Sequence, residues 1–424
     1  MVDSLTFTTL GELIRGKRAD TGLSLSELGR MTGISKGVLS KIENDETKRP
    51  ELRTLKPIAD VLDIPYEQII EWYIKVEHRA EVFDDFLSLC IELSNPTLMA
   101  KVAIKFLENS KEDTFALLEH INKLANKTVN NEIRLSLYNT IIKYARIHGI
   151  PMYIAKSSLQ KYLIERQDLK NMEESFKIGE EVVHYADFLT EEERIILYFR
   201  MALQAYAIKK YETCIELCQA GITLEKKDTE LKARAYLAMI NSYSDLGDYS
   251  TVELHLEIFK GFKHNFVAEA TKLESAIVKS KKKEYDQAIP LLKESLQNIS
   301  EHARIHVVNE LLEIYFELKD VDSVSEIFAN EKSLLFSTST PYKLISLGRY
   351  YLFKGNYQVS MGLFEDGIIS YTESLKAYGE VNAYQEIVKC MNEILSNHSL
   401  RSQSELLFEK LKKVYNGIAS DKMN

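Results

Sequence analysis

Apolar residues recur along this chain mostly at three- and four-residue spacing, the period of helices packed on one side. No stretch alternates apolar and polar positions between turn signals, so no strand is expected. Breakers are scarce, with Gly 17 and Pro 7 in 424 residues. Together these features predict an all-α protein built of many helices.

The first 64 residues parse into short helices with clear stops. One runs from about Thr9 to Thr21, with Leu10, Leu13 and Ile14 on one face and Gly22 behind it. Ser24 and Glu27 make a capping box for a second helix, which buries Leu25 and Leu28 and stops at Gly33. Ser35 caps a third helix carrying Val38, Leu39 and Ile42. A fourth, Glu51 to Leu62, adds Leu52, Leu55, Ile58, Ala59 and Leu62 to a small core. Two short helices joined by a tight glycine turn are a helix-turn-helix unit.

The string LSLSELGRMTGISKGVLSKIENDETKRPELRTLKPIADVLDIPYEQI resembles the lambda-repressor-like (XRE-type) helix-turn-helix family. The landmarks are Leu25 and Leu28, the Gly33-Ile34-Ser35 turn, Ile42-Glu43 before a basic-Pro stretch, and Ala59, Leu62 and Ile64. Ser26 stands where such proteins often carry Gln, Gly29 weakens the second helix, and the Glu43–Pro50 stretch is one residue longer than usual. The resemblance implies a double-stranded DNA operator as partner, with the third helix in the major groove. It places Ser26, Ser35, Lys36, Gly37, Ser40 and Lys41 at the DNA, with Lys36 suited to guanine O6 and N7. Lys17, Arg18, Lys41, Lys48, Arg49 and Arg53 are expected at phosphates.

Charge alters this picture a little. The whole chain carries −9, whereas residues 1–64 hold ten basic and ten acidic side chains and are neutral. A neutral head on an acidic body binds DNA only if its cations gather on one face, and it disfavours strong non-specific affinity.

From Pro65 the helical pattern continues through YEQIIEWYIKVEHRAEVFDDFLSLCIEL without a Gly/Ser tether, so a stiff helical connection is expected, with Trp72 as its packing anchor. Beyond residue 165 an internal repeat emerges. Aligned turns place Tyr211, Tyr249, Tyr285, Val321 and Tyr357 at separations of 38, 36, 36 and 36. Three positions on stand Cys214, Val252, Ala288, Val324 and Ser360, and seven positions on Cys218, Leu256, Leu292, Phe328 and Phe364. This looks like degenerate tetratricopeptide repeats, whose helix pairs must stack to bury their apolar faces. The fold class is then all-α: a lambda-repressor-like helix-turn-helix domain at 1–66, a helical linker at 67–80, and a right-handed tetratricopeptide-repeat solenoid at 81–424. Projecting that family's inward positions selects Phe199, Leu203, Tyr206, Arg234, Asn241, Ser244, Asp245, Asn309, Glu313, Tyr342 and Arg349 as lining a concave groove. Asn241 falls where peptide-binding repeats use an amide on a ligand backbone, and Arg234 and Arg349 can pair with carboxylates.

Head and repeats together resemble the peptide-sensing helix-turn-helix/tetratricopeptide-repeat regulators of Gram-positive bacteria and their phages, the NprR/PlcR/arbitrium-receptor-like group related to the Rap proteins. The resemblance implies a cytoplasmic, homodimeric quorum-sensing transcription regulator whose repeats hold a short signalling peptide. Two other readings remain open: an adaptor whose repeats grip a partner protein such as a response regulator, and a constitutive repressor whose repeats only dimerise.

Other chemistry finds little footing. The N-terminus lacks a basic start followed by an apolar run, and no 18-residue apolar stretch suggests a membrane span. Cys90, Cys214, Cys218 and Cys390 do not make a disulfide framework. His302 and His306 share helical spacing, but Ala303 replaces the Glu a zincin needs. The run at 279–284 is a solvated charge cluster. With no phosphate loop and no nucleophile motif, no enzyme, cofactor or metal is expected.

Overall fold

The computed structural model describes residues 9–77, 79–108, 112–298, 304–331, 341–398 and 412. Among them every regular element is helical, and no helix is long and apolar enough to cross a membrane. The chain divides into two compact units, Met1–Ile164 and Glu165–Asn424.

Unit 1 opens with α1 (Leu10–Asp20), α2 (Leu25–Thr32), α3 (Lys36–Glu43), α4 (Leu52–Leu62) and α5 (Tyr66–Val76). Local chemistry sets their starts. Thr9 with Glu12 and Ser24 with Glu27 form reciprocal capping boxes, and Ser35 accepts from the Val38 amide. Gly33, at φ 73°, closes α2 in the left-handed region that a β-carbon disfavours. Gly29 lies so close to Ile34 that an added Cβ would sit 2.8 Å from its carbonyl oxygen.

The expected core forms, as Leu10, Leu13, Ile14, Leu28, Leu39, Ile42, Leu55, Ile58, Ala59 and Leu62 are buried. Leu25 and Leu52 are only half-buried. Val38 is 41% exposed, because Leu39 and Ile42 already turn the inner face of α3 to the core. Helix α5 packs on this bundle through Ile69, Ile70 and Tyr73, and the Tyr73 hydroxyl donates to the Pro50 carbonyl. Trp72 meets Tyr73 edge-on, ring centres 5.2 Å apart.

The helical connection expected through this stretch is broken. Glu77 is extended, at φ −94° and ψ 149°, and α6 (Ala80–Glu92) starts afresh. Glu77 is buried, and its carboxylate is gripped by Arg79 at 2.7 Å and approached by Arg49 at 3.8 Å. A buried carboxylate needs such partners, and they hold the backbone out of the helix there. Unit 1 continues with α7 (Pro96–Leu107), α8 (Thr114–Lys127), α9 (Asn131–His148) and α10 (Pro151–Glu165).

Unit 2 is a row of helix hairpins. Their helices are α11 (Met172–Val183), α12 (Glu191–Ala207), α13 (Tyr211–Leu224), α14 (Glu230–Asp245), α15 (Tyr249–Phe259) and α16 (Asn265–Lys281). Then follow α17 (Tyr285–Asn298), α18 (Arg304–Leu318), α19 (Val321–Ala329), α20 (Pro341–Ser360), α21 (Phe364–Gly379) and α22 (Tyr384–His398). One turn device recurs: Lys209, Gly247, Lys283, Lys319, Gly362 and Asn382 all have positive φ, between 50° and 81°, two residues before the next helix. The following amide reaches back five residues, Lys210 to Ala205 at 2.8 Å, Asp248 to Tyr243 at 3.0 Å and Leu363 to Gln358 at 2.8 Å among them. This is the Schellman closure of a helix C-terminus.

Tyr211, Tyr249, Tyr285 and Val321 accordingly stand first in α13, α15, α17 and α19, with Cys214, Val252, Ala288, Cys218 and Leu292 fully buried behind them. The fifth repeat corrects the expected register. Tyr357 lies inside α20, Ser360 is exposed, and Phe364 is the first residue of the second helix. Gly355, two residues before Tyr357, makes room for the Tyr371 ring, which would be 2.5 Å from an added Cβ. The row also meets itself: Lys209 pairs with Glu386, and the Asn382 amide donates to the Lys170 carbonyl at 2.6 Å.

Candidate functional site

On the head, α3 presents Ser35, Lys36, Gly37 and Lys41 to solvent, with Ser40 half-buried and Ser26 exposed on α2. Ser35 uses its hydroxyl oxygen to cap α3, accepting from Val38 N at 3.3 Å. Nothing lies within 4 Å of the Cβ position of Gly37. Among the described residues Lys36, Lys41 and Lys48 make no ion pair, and Lys17 is half-buried, also without one. Arg53 is 84% exposed beside Glu51, and Arg49 leans towards Glu77.

Arg18 departs from its expected role. Its Nε and one terminal nitrogen both donate to the Glu43 carboxylate at 2.7 Å, and the other donates to Leu23 O at 2.8 Å. Glu43 is only 3% exposed, so this bidentate pair pins the end of α3 from inside. The hydrogen bond to Glu43 raises the Arg18 pKa further. The structure therefore gives Arg18 a core-pinning place, because its stem is long enough to reach the carboxylate on the next layer.

In unit 2 the first helices of successive hairpins bring Tyr206, Asn241, Asp245, Glu313 and Arg349 into one polar cluster. Arg349 bridges Glu313 at 2.5 Å and Glu310 at 3.1 Å, and Lys281 bridges Glu313 at 2.7 Å. With its amide nitrogen facing the carboxylate, Asn241 donates to Glu274 at 3.2 Å. Burial first, then the neighbouring charges of Glu310 and Asp245, push the Glu274 carboxyl up to about 8. Burial also raises Asp245, although Lys209, Lys281 and the Tyr206 hydroxyl act against it. Burial would raise Glu313 too, but Arg349 and Lys281 outweigh it and hold that group below its ordinary value.

Other projected residues lie elsewhere. Phe199 is fully buried, its ring filling the space where Gly221 lacks a Cβ, which would be 2.4 Å away. Asn309 is 2% exposed and donates to Ser346 O at 2.8 Å, a core role. Arg234 is exposed, paired with Glu230 at 2.6 Å and stacked over Phe266 at 4.6 Å. Leu203 and Ser244 are half-buried. The Tyr342 side chain and His302 lie outside the described residues. His306 is hydrogen-bonded to Ser346 at 2.8 Å, and burial pushes it down to about 4. Sequence projection missed Lys209, Glu274, Lys281, Glu310 and Glu386. Their signal was the spacing of Glu274 and Lys281 seven apart, and of Glu310 and Glu313 three apart, each on one helix face.

A compact bundle that caps its third helix and holds free lysines on it is a helix-turn-helix DNA-binding domain. Residues 14–74 match the Cro/C1-type HTH DNA-binding domain. The head is therefore a helix-turn-helix DNA-binding domain, and helical hairpins follow it in the chain. The chain is similar to the HTH-type transcriptional repressor RghR of Bacillus subtilis (strain 168), 28% identical over 119 residues, 26% of this chain and 87% of the relative. It is also similar to the transcriptional regulator SinR of the same strain, 26% identical over 102 residues, 24% of this chain and 92% of the relative. The crystal structure of a Rap protein complexed with competence and sporulation factor overlays at TM-score 0.37 and 11% identity, across 94% of this chain and 99% of that one.

Proposed function

We propose that this regulator reads its operator as a homodimer and is controlled by a short peptide held by tetratricopeptide-type hairpins of unit 2, in a cytoplasmic quorum-sensing role. The observation that carries the reading is the polar cluster. Five successive first helices, from α12 to α20, each contribute a polar side chain to one place: Tyr206, Asp245, Lys281, Glu313 and Arg349. Asn241 adds an amide, which can donate to and accept from a peptide backbone. A structural core has little use for a cluster of charges that stay partly in water, since apolar packing there would stabilise it more. A binding surface does, because it must offer donors and acceptors that a ligand completes.

On the DNA side Lys36 reads a base edge, while Lys17, Lys41, Lys48 and Arg49 settle on phosphates. Two heads must meet half-sites about 34 Å apart or a multiple of it, so a peptide that alters their spacing alters operator affinity. The test is calorimetric titration of the full-length protein with a randomised pool of short synthetic peptides, followed by recovery of the bound species. Saturable binding that Asn241→Ala and Arg349→Ala abolish is the expected result. No binding in the wild type would sink the peptide reading and leave the DNA-binding assignment intact.

A further inference from the structure

Helix α3 carries an apolar side chain that the core does not use. Leu39 and Ile42 are 0% and 1% exposed and supply its inner face, whereas Val38 is 41% exposed. One exposed valine on a protein surface is ordinary. This one stands on the helix whose first turns enter the major groove in domains of this class. It sits beside Gly37, which has nothing within 4 Å of its Cβ position, and one turn from exposed Lys41.

These features fit one kind of base. In the major groove the thymine C5-methyl is the apolar group on offer, and the other base edges present donors and acceptors. A valine is suited to it, because its branched side chain is stiff at χ1 and loses little freedom on docking. Gly37 helps by leaving no side chain between the helix and the bases. A polar residue at position 38 would be solvated before binding and gain nothing from a methyl.

We propose that Val38 is a specificity-determining residue that contacts the C5-methyl of a thymine, in a base pair neighbouring the one read by Lys36. The proposal rests on the base-reading role given to α3 above.

Selection from a randomised duplex DNA pool with the full-length protein gives the operator, and each conserved dT is then replaced by deoxyuridine, which lacks only the methyl. The wild type is expected to lose roughly fourfold in affinity at one thymine per half-site, the equivalent of about 0.8 kcal/mol for one buried CH₂-sized group. Val38→Ala, a surface change expected to leave the melting temperature unchanged, should bind dT and deoxyuridine operators equally. An enriched operator with no deoxyuridine effect, or an effect that Val38→Ala retains, overturns the proposal alone. A pool that yields no enriched sequence overturns it together with the base-reading role of the head. The deoxyuridine comparison uses the unaltered protein, so a missing effect overturns the proposal even if the variant misfolds.

Discussion

The cations of α3 and those of the hairpin cluster are arranged in opposite ways. On the head, Lys36 and Lys41 stand on the surface with no ion pair among the described residues, left for a partner that brings its own negative charge. In unit 2, Lys281 and Arg349 are already engaged by Glu310 and Glu313, and Lys209 by Glu386. The first arrangement suits a polyanion whose binding releases counterions. The second suits a ligand that must rearrange a balanced network, and that requirement gives it selectivity. One cation of the head breaks the pattern: Arg18 is half-buried, paired with the buried Glu43, and belongs with the cluster in kind.

The largest effect should come from that exception. Arg18→Ala leaves Glu43 buried without its partner and should cost the head about 3–5 kcal/mol. Circular-dichroism melting should show the head unfolding early, and a double Arg18→Met, Glu43→Leu replacement should recover most of the loss. If Arg18→Ala melts like the wild type while DNA affinity falls, Arg18 is a phosphate ligand after all.

Arg349→Ala should cost less, about 2 kcal/mol, since its side chain is 36% exposed and water screens part of the pair. Urea denaturation of the full chain measures it, and unchanged stability would mean the cluster is not a coupled network.

Glu274→Gln tests the cluster's raised carboxyl group through pH. The folded-state value of Glu274 is raised, so the folded protein holds a proton that the unfolded chain has already released. Stability is therefore lost progressively as pH climbs from the ordinary carboxylate range to about 8. The glutamine variant removes that loss and should gain about 3–4 kcal/mol over the wild type at pH 8 relative to pH 5. Parallel stability curves for the two proteins would refute the assignment.

The smallest effect belongs to the free lysines. Lys41→Ala should leave melting unchanged, weaken operator binding by about 1 kcal/mol, and lower the slope of log affinity against log salt by about one. An unaltered slope would remove Lys41 from the phosphate contacts.

Much of this was legible in the chain because the cues were local. Capping boxes at Ser24 and Glu27, the Gly33 stop and the repeating turns before Tyr211, Tyr249 and Tyr285 each depend on a few adjacent residues. What escaped depended on neighbours distant in sequence. Gly355 looks like Gly247 in the sequence, yet one admits a ring and the other takes a positive φ. Phe199 projected towards the ligand but is drawn into the core by the missing Cβ of Gly221, 22 positions on. Val38 read as core because apolar residues usually are, and only packing shows that Leu39 and Ile42 suffice. The acids and lysines of α16 and α18 were overlooked because repeat alignment follows small and apolar positions, not the charges between them.

The most direct test of a peptide-controlled regulator is the affinity of the full-length protein for its selected operator, measured with and without the peptides it retains from a synthetic pool. Control through the hairpin cluster should change the dissociation constant about 5- to 150-fold in the wild type. The change should vanish in Asn241→Ala. An operator affinity that stays the same at saturating peptide would contradict the account, however tightly the peptide binds.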